Sequence, residues 1–89
     1  MNRVHHLKTW PGYFAAVEDG RKTFEIRFND RNFTVGDVLV LEEFWPSQNA
    51  YSGKVLFCRV TYLTDWEQKP GFVVLALELV DSVNLESAK

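Results

Sequence analysis

The sequence predicts an α+β domain that is mostly β: a small barrel or pseudo-barrel of about five strands, with one short helix after the first strand. Three observations carry that expectation. Apolar residues recur with period two, or in short unbroken runs, along most of the chain, whereas helical spacing shows only at Tyr13, Phe14, Ala16 and Val17. Clusters of Gly, Pro, Asn, Asp and Ser separate these segments. A chain of 89 residues has room for one modest core but not for two layered sheets, so strands apolar on both faces call for a sheet that curls on itself.

Val4 to Trp10 reads as the first strand, with Leu7 and Trp10 as its larger apolar residues, and Pro11-Gly12 breaks it. Thr9 is placed to cap a helix with Pro11 near its first turn. That helix runs to Glu18, about two turns, and Gly20 supplies the stop. Lys22 to Phe28 follows as a half-buried strand in which Phe24, Ile26 and Phe28 form the apolar side; Thr23, Glu25 and Arg27 share the other.

Asn29-Asp30-Arg31-Asn32 is a polar turn, and Phe33 and Val35 lead to a second turn at Gly36-Asp37. Val38-Leu39-Val40-Leu41 is an unbroken apolar run, expected to be covered on both faces. Residues 45–53 read as a connecting loop. Lys54 to Leu63 reads as a strand with Leu56, Cys58, Val60 and Tyr62 on one face. Thr64 to Gly71 is polar, and Phe72 to Val80 is a long apolar strand interrupted only by Glu78. Residues 1–80 therefore make the domain, and 81–89 a polar tail expected to fray or stay disordered.

Composition limits the function. Apolar residues make up 46% and aromatics 15%, which places the chain among folded proteins. A net charge of −2 argues against long duplex nucleic acid, whose binding needs several cationic contacts, but is compatible with one local basic cleft. Cys58 is single, cannot form an internal disulfide and lies in an apolar run, as a buried thiol does. His5 and His6 are adjacent, so on a strand they point to opposite faces, and no third His or second Cys completes a set; neither metal nor cofactor is expected. Without a membrane-length apolar run or a signal-peptide core, the expectation is a cytoplasmic protein with no membrane partner.

The chemistry concentrates between Gly20 and Arg27. Two residues along a strand span about 6.6 Å, so the side chains of Glu25 and Arg27 can meet, with Lys22 at the strand entry. An acid between two cations is commonly a structural ion network. It is equally suited to the wall of a ligand cleft: Arg offers a planar fork of donors to a phosphate or base edge, Lys a point charge, and Glu an acceptor for an exocyclic amine. Asn29, Asp30 and Arg31 read as a self-satisfied turn or, through Arg31, as a second phosphate contact. Trp10, Tyr13, Trp45 and Trp66 invite a stacking role, although aromatics of a small barrel are mostly core; Trp45 and Trp66, in loops, are the better placed for exposure.

Gly20-Arg21-Lys22-Thr23-Phe24-Glu25-Ile26-Arg27 fits G-x-K-x-x-E-x-R, and it resembles the signature of the ASCH domains of the PUA-like superfamily. The likeness extends towards a small ASCH-related family of uncharacterised bacterial and phage proteins. It runs through His5-His6-Leu7-Lys8, Pro11-Gly12-Tyr13-Phe14, Asn29-Asp30-Arg31-Asn32-Phe33-Thr34-Val35-Gly36-Asp37, Tyr51-Ser52-Gly53, Val60-Thr61-Tyr62 and Gly71-Phe72-Val73-Val74-Leu75. Gly12 stands where that family usually has an acid, and Phe28 where it often has a lysine.

The resemblance implies a PUA-like barrel with the signature lining a cleft beside the helix, and RNA or a modified nucleoside or nucleotide as partner. The ligand-binding residues it points to are His5, Lys8, Lys22, Glu25, Arg27, Asn29 and Arg31. Some small ASCH proteins hydrolyse 4-acetylcytidine with a lysine, a threonine and a glutamate. Lys22 matches the lysine, but Glu25 stands at the threonine and the helical insertion bearing the glutamate is absent. The expectation is therefore a binding module. The rival is an amidohydrolase in which Lys22 is activated and Glu25 is the general base, and the third reading is a phage or host protein-interaction domain.

Overall fold

Alternating apolar residues, interrupted by turn formers, build five strands and one helix. In chain order these are β1 (Val4–Thr9), α1 (Pro11–Glu18), β2 (Phe24–Phe28), β3 (Val38–Trp45), β4 (Ala50–Thr64) and β5 (Phe72–Val80). The computed structural model describes residues 2–80, and the expected C-terminal tail lies outside them. One sheet holds all five strands in the order β1-β3-β4-β5-β2, curled into a half-barrel. β1 runs parallel to β3 and the other pairs are antiparallel. The mostly β, α+β expectation holds.

The core fills the concave side. Leu39 and Leu41 of β3, Cys58 and Val60 of β4, and Leu75 of β5 are fully buried there, and α1 lays Phe14 and Val17 across them. Val38 and Val40, on the opposite face of β3, are buried as well, so the unbroken apolar run is covered on both sides. Burial, with a smaller contribution from the Glu25 carboxylate, pushes the Cys58 thiol up to about 12.

Several local expectations change. Trp10, not Thr9, is the helix N-cap residue, and it makes no side-chain cap bond. Thr9 ends β1 and turns its hydroxyl to the Leu7 carbonyl at 3.2 Å. The long loop expected over 45–53 shrinks to a tight turn: the Gln48 N–H donates to the Trp45 carbonyl, and β4 begins at Ala50, opposite Trp45. Asn49 takes a positive φ of 50° there, a conformation Asn tolerates better than most residues. A register shift between Val60 and Tyr62 turns Tyr62 outward at 64% exposure, and Leu63 packs on the core in its place.

The largest correction concerns β2, which is inverted. Ile26 is 52% exposed and Phe24 and Phe28 also face out, whereas Glu25 is only 4% exposed. Apolar alternation identifies a strand but not which side it buries. Here the convex side offers the outward side chains of Phe72, Val74 and Ala76 across the ladder, and Phe28 packs edge-on against Phe72 with centroids 5.5 Å apart. The concave side carries the polar residues because partners for them converge there.

Asp37, read from the sequence only as part of a turn, is fully buried and ties its own turn to the start of β1. Its carboxylate accepts from the Arg3 N–H at 3.0 Å, the Thr34 N–H and hydroxyl at 3.0 Å each, and His5 Nε2 at 2.9 Å. Burial alone would raise its pKa, but these donors outweigh that effect and hold the carboxyl at about 2.

Candidate functional site

β1 and β2 are the two edges of the sheet, and the curl brings them face to face without a shared ladder. What spans the gap is side-chain chemistry. Arg27 extends from β2 and donates through Nη2 to the Lys8 carbonyl of β1 at 3.0 Å and to Thr9 Oγ1 at 3.4 Å. Arg31, just beyond β2, donates through Nη1 to the His6 carbonyl at 2.7 Å. Two arginines thus satisfy alternate carbonyls along the open edge of β1, groups that would otherwise template a foreign strand.

Glu25 lies between the cations. Its Oε1 accepts from Lys22 Nζ at 2.6 Å and its Oε2 from Arg27 Nε at 2.9 Å. A carboxylate this buried requires such charge-assisted partners. Lys22 reaches it because α1 ends in a tight turn: Gly20 adopts φ +87°, and the Lys22 N–H donates to the Ala16 carbonyl at 2.9 Å. Its ammonium also donates to the Phe24 carbonyl at 2.6 Å and lies 5.6 Å from the Tyr13 ring centroid. The helix therefore sets the lysine and the strand sets the acid and the arginine.

Around this triad opens a cleft of about 490 Å³, lined by Lys8, Thr9, Trp10, Tyr13, Lys22, Phe24, Glu25, Ile26 and Arg27. Trp10 is 55% exposed and Tyr13 59%, both at the start of α1. The floor is polar and positively weighted, and the helix side is aromatic. That combination is chemically suited to a flat ring next to an acceptor or anionic group.

Of the other residues expected in a ligand set, Lys8 borders the cleft, whereas His5, Asn29 and Arg31 lie elsewhere. His5 points into the core, pairs with Asp37 and meets Phe33 edge-on at 4.8 Å, so it is a structural histidine. The adjacent His6 faces out, as strand alternation requires, and meets Glu42 at 3.1 Å. The ammonium of Lys8 leans over the Phe44 ring at 4.1 Å, which leaves its backbone carbonyl as its part in the Arg27 bridge. Asn29 Oδ1 accepts from the Phe33 N–H at 2.9 Å, the turn role. Arg31 ties the strand edges instead of standing at a cleft rim.

Sequence reasoning missed Thr9 as a cleft residue, and it ranked Trp10 and Tyr13, which line the cleft, below Trp45 and Trp66 as stacking candidates. Trp45 and Trp66 are exposed but do not line the cleft. The available signal was position, since the turn between β1 and α1 must pass the open edge of the sheet. Among the described residues no three His, Cys, Asp or Glu side chains group as a metal site would require. No helix of the described chain is long and apolar enough to cross a membrane.

A family model described as a domain of unknown function (DUF3850) matches residues 4–77, a span that contains every element of the cleft. The chain is also similar to an uncharacterized 12.9 kDa protein in the GpA 3′ region of Escherichia phage P2. The two are 38% identical over 65 residues, which is 73% of this chain and 58% of the phage protein. The match thus spans well under two thirds of that relative's length.

Proposed function

This chain belongs to the DUF3850 family, and from that premise we propose that it is a small RNA- or modified-nucleotide-binding module of the ASCH, PUA-like kind. The observation that carries the reading is the junction of two cations, held on one carboxylate, with two solvent-facing aromatic rings in a single cleft. Lys22 and Arg27 supply donors, Trp10 and Tyr13 supply stacking faces, and Glu25 fixes the cations in place. Resemblance of Gly20–Arg27 to the ASCH signature supports the same assignment.

The amidohydrolase reading draws less support. Both oxygens of Glu25 are engaged by cations, so neither is presented to a water as a general base requires. A protein partner is the remaining reading, for which the exposed Phe28, Tyr62 and Trp66 lie outside the cleft.

A thermal-shift series with nucleosides, modified nucleosides and short RNA oligonucleotides, run on wild type and Lys22→Ala, tests the proposal. A ligand specific to the native state raises the melting temperature; the expected result is a rise in wild type that the variant loses. Release of acetate from 4-acetylcytidine would instead establish the hydrolase. No shift with any nucleotide ligand would reject the module and direct attention to protein partners.

A further inference from the structure

We infer that the cleft selects a phosphodiester-linked nucleotide, an unpaired residue within a strand, over the corresponding free monophosphate. The inference rests on the nucleotide-binding reading and specifies its ligand through charge. Lys22 and Arg27 contribute two positive charges and Glu25 one negative, so the triad carries a single net positive charge. Lys8 borders the cleft, but its ammonium lies 4.1 Å from the Phe44 ring centroid, drawn away from Glu25.

Donors remain for one anionic group. An ammonium has three hydrogens, and Lys22 gives them to the Phe24 carbonyl and to Glu25, leaving one. Arg27 uses Nε and Nη2, and among the described residues its Nη1 makes no hydrogen bond. Two neighbouring cations with spare hydrogens suit two oxygens of a phosphoryl group.

The charge of that group then decides. A phosphodiester carries one negative charge, whereas a phosphomonoester at neutral pH carries between one and two. Attraction to a fixed site grows linearly with ligand charge, but the cost of stripping water grows with its square. A monoanion neutralises the triad. A dianion leaves an unmatched charge beside the Glu25 carboxylate, in a protein whose net charge is already −2. The base is accommodated by Trp10 and Tyr13, whose rings are exposed. The cleft volume, about 490 Å³, is in the ~300–1,000 Å³ range that holds ligands of this size.

The test is calorimetric titration, at low salt and pH 7.5, with uridine, uridine 5′-monophosphate, uridine 5′-methylphosphate and the dinucleoside monophosphate UpU, repeated in the adenosine series. The methyl ester keeps the monoanion without a second base. It is expected to bind at least several-fold more tightly than either the nucleoside or the monophosphate, and UpU at least as well as the methyl ester. Added salt should weaken binding of the methyl ester and leave uridine binding nearly unchanged, since only the charged contact is screened. In Lys22→Gln, which removes the net charge, the affinity of the methyl ester should fall towards that of uridine, with circular dichroism and thermal unfolding reporting that the fold is retained; a methyl-ester affinity unchanged from wild type overturns the charge argument. Tighter or equal binding of the monophosphate overturns the selectivity and leaves the nucleotide module standing. Nucleoside binding that no phosphate improves also overturns it. No binding by any of these ligands rejects both.

Discussion

Arg27 and Lys8 stand on opposite edges of the sheet, yet the Arg27 guanidinium donates to the Lys8 carbonyl at 3.0 Å. Closure of the half-barrel at the cleft therefore depends on a side chain reaching a backbone group. Arg27→Lys retains the charge but not the fork, and a single ammonium cannot serve Glu25, the Lys8 carbonyl and Thr9 together. The expected cost is about 1–2 kcal/mol in urea unfolding, with the affinity of any nucleotide ligand reduced. A stability equal to wild type would show that the bridge contributes nothing.

Glu25 holds Lys22 and Arg27, whose side chains remain partly exposed and can recover some hydration when it is removed. Glu25→Gln should therefore lower stability by roughly 1–3 kcal/mol, less than the loss of one member of a fully buried pair. In a domain of this size each kcal/mol corresponds to about 4–8 °C in Tm. Scanning calorimetry checks the figure, and the variant's loss should shrink in high salt, as the two remaining cations are screened from each other.

The inverted β2 separates two expectations cleanly. If Ile26 packed in the core, Ile26→Lys would cost several kcal/mol. With Ile26 half exposed on the convex face, the substitution should cost less than about 1 kcal/mol. Thermal unfolding of this one variant decides which side of the strand is buried.

Asp37 makes stability depend on acid. Its folded pKa, about 2, lies below the ordinary 3.8, so the stabilisation is fully present above about pH 4 and is lost as pH falls through 2. The difference amounts to roughly 2 kcal/mol. Asp37→Asn should be less stable at pH 7 and should show a shallower loss between pH 4 and 2, read from denaturant midpoints across that window. Parallel acid curves for the two proteins would place the titrating group elsewhere.

Strand identity was legible because short-range alternation and turn residues are local properties. Val38 to Leu41 announced two-sided burial, and Glu25 and Arg27 were within side-chain reach of each other by strand spacing alone. Facing was not legible. Phe24, Ile26 and Phe28 look like a core stripe, and only the tertiary arrangement, with Lys22 arriving from the helix end and Arg27 held across the gap by the Lys8 carbonyl, makes burial of Glu25 the better solution. The same limit applies to His5 and Asp37: a residue in an apparent surface turn became the acceptor for donors at the start of the first strand, more than thirty residues away. Tyr62 was misplaced because a bulge at Thr61 shifts the alternation by one residue.

The strand order also has a consequence in time. β2 appears early in the chain, but its ladder partner in the described fold is β5, Phe72–Val80. During vectorial synthesis Lys22, Glu25 and Arg27 would leave the ribosome well before the strand that fixes their orientation. Pairing of distant segments is slow, and α1, eight residues without a side-chain cap bond, needs the sheet beneath Phe14 and Val17 to be stable. The cleft thus takes shape only near the end of assembly, and a nascent chain lacking β5 presents the segment Phe24-Glu25-Ile26-Arg27-Phe28 unpaired, an edge open to association with other chains.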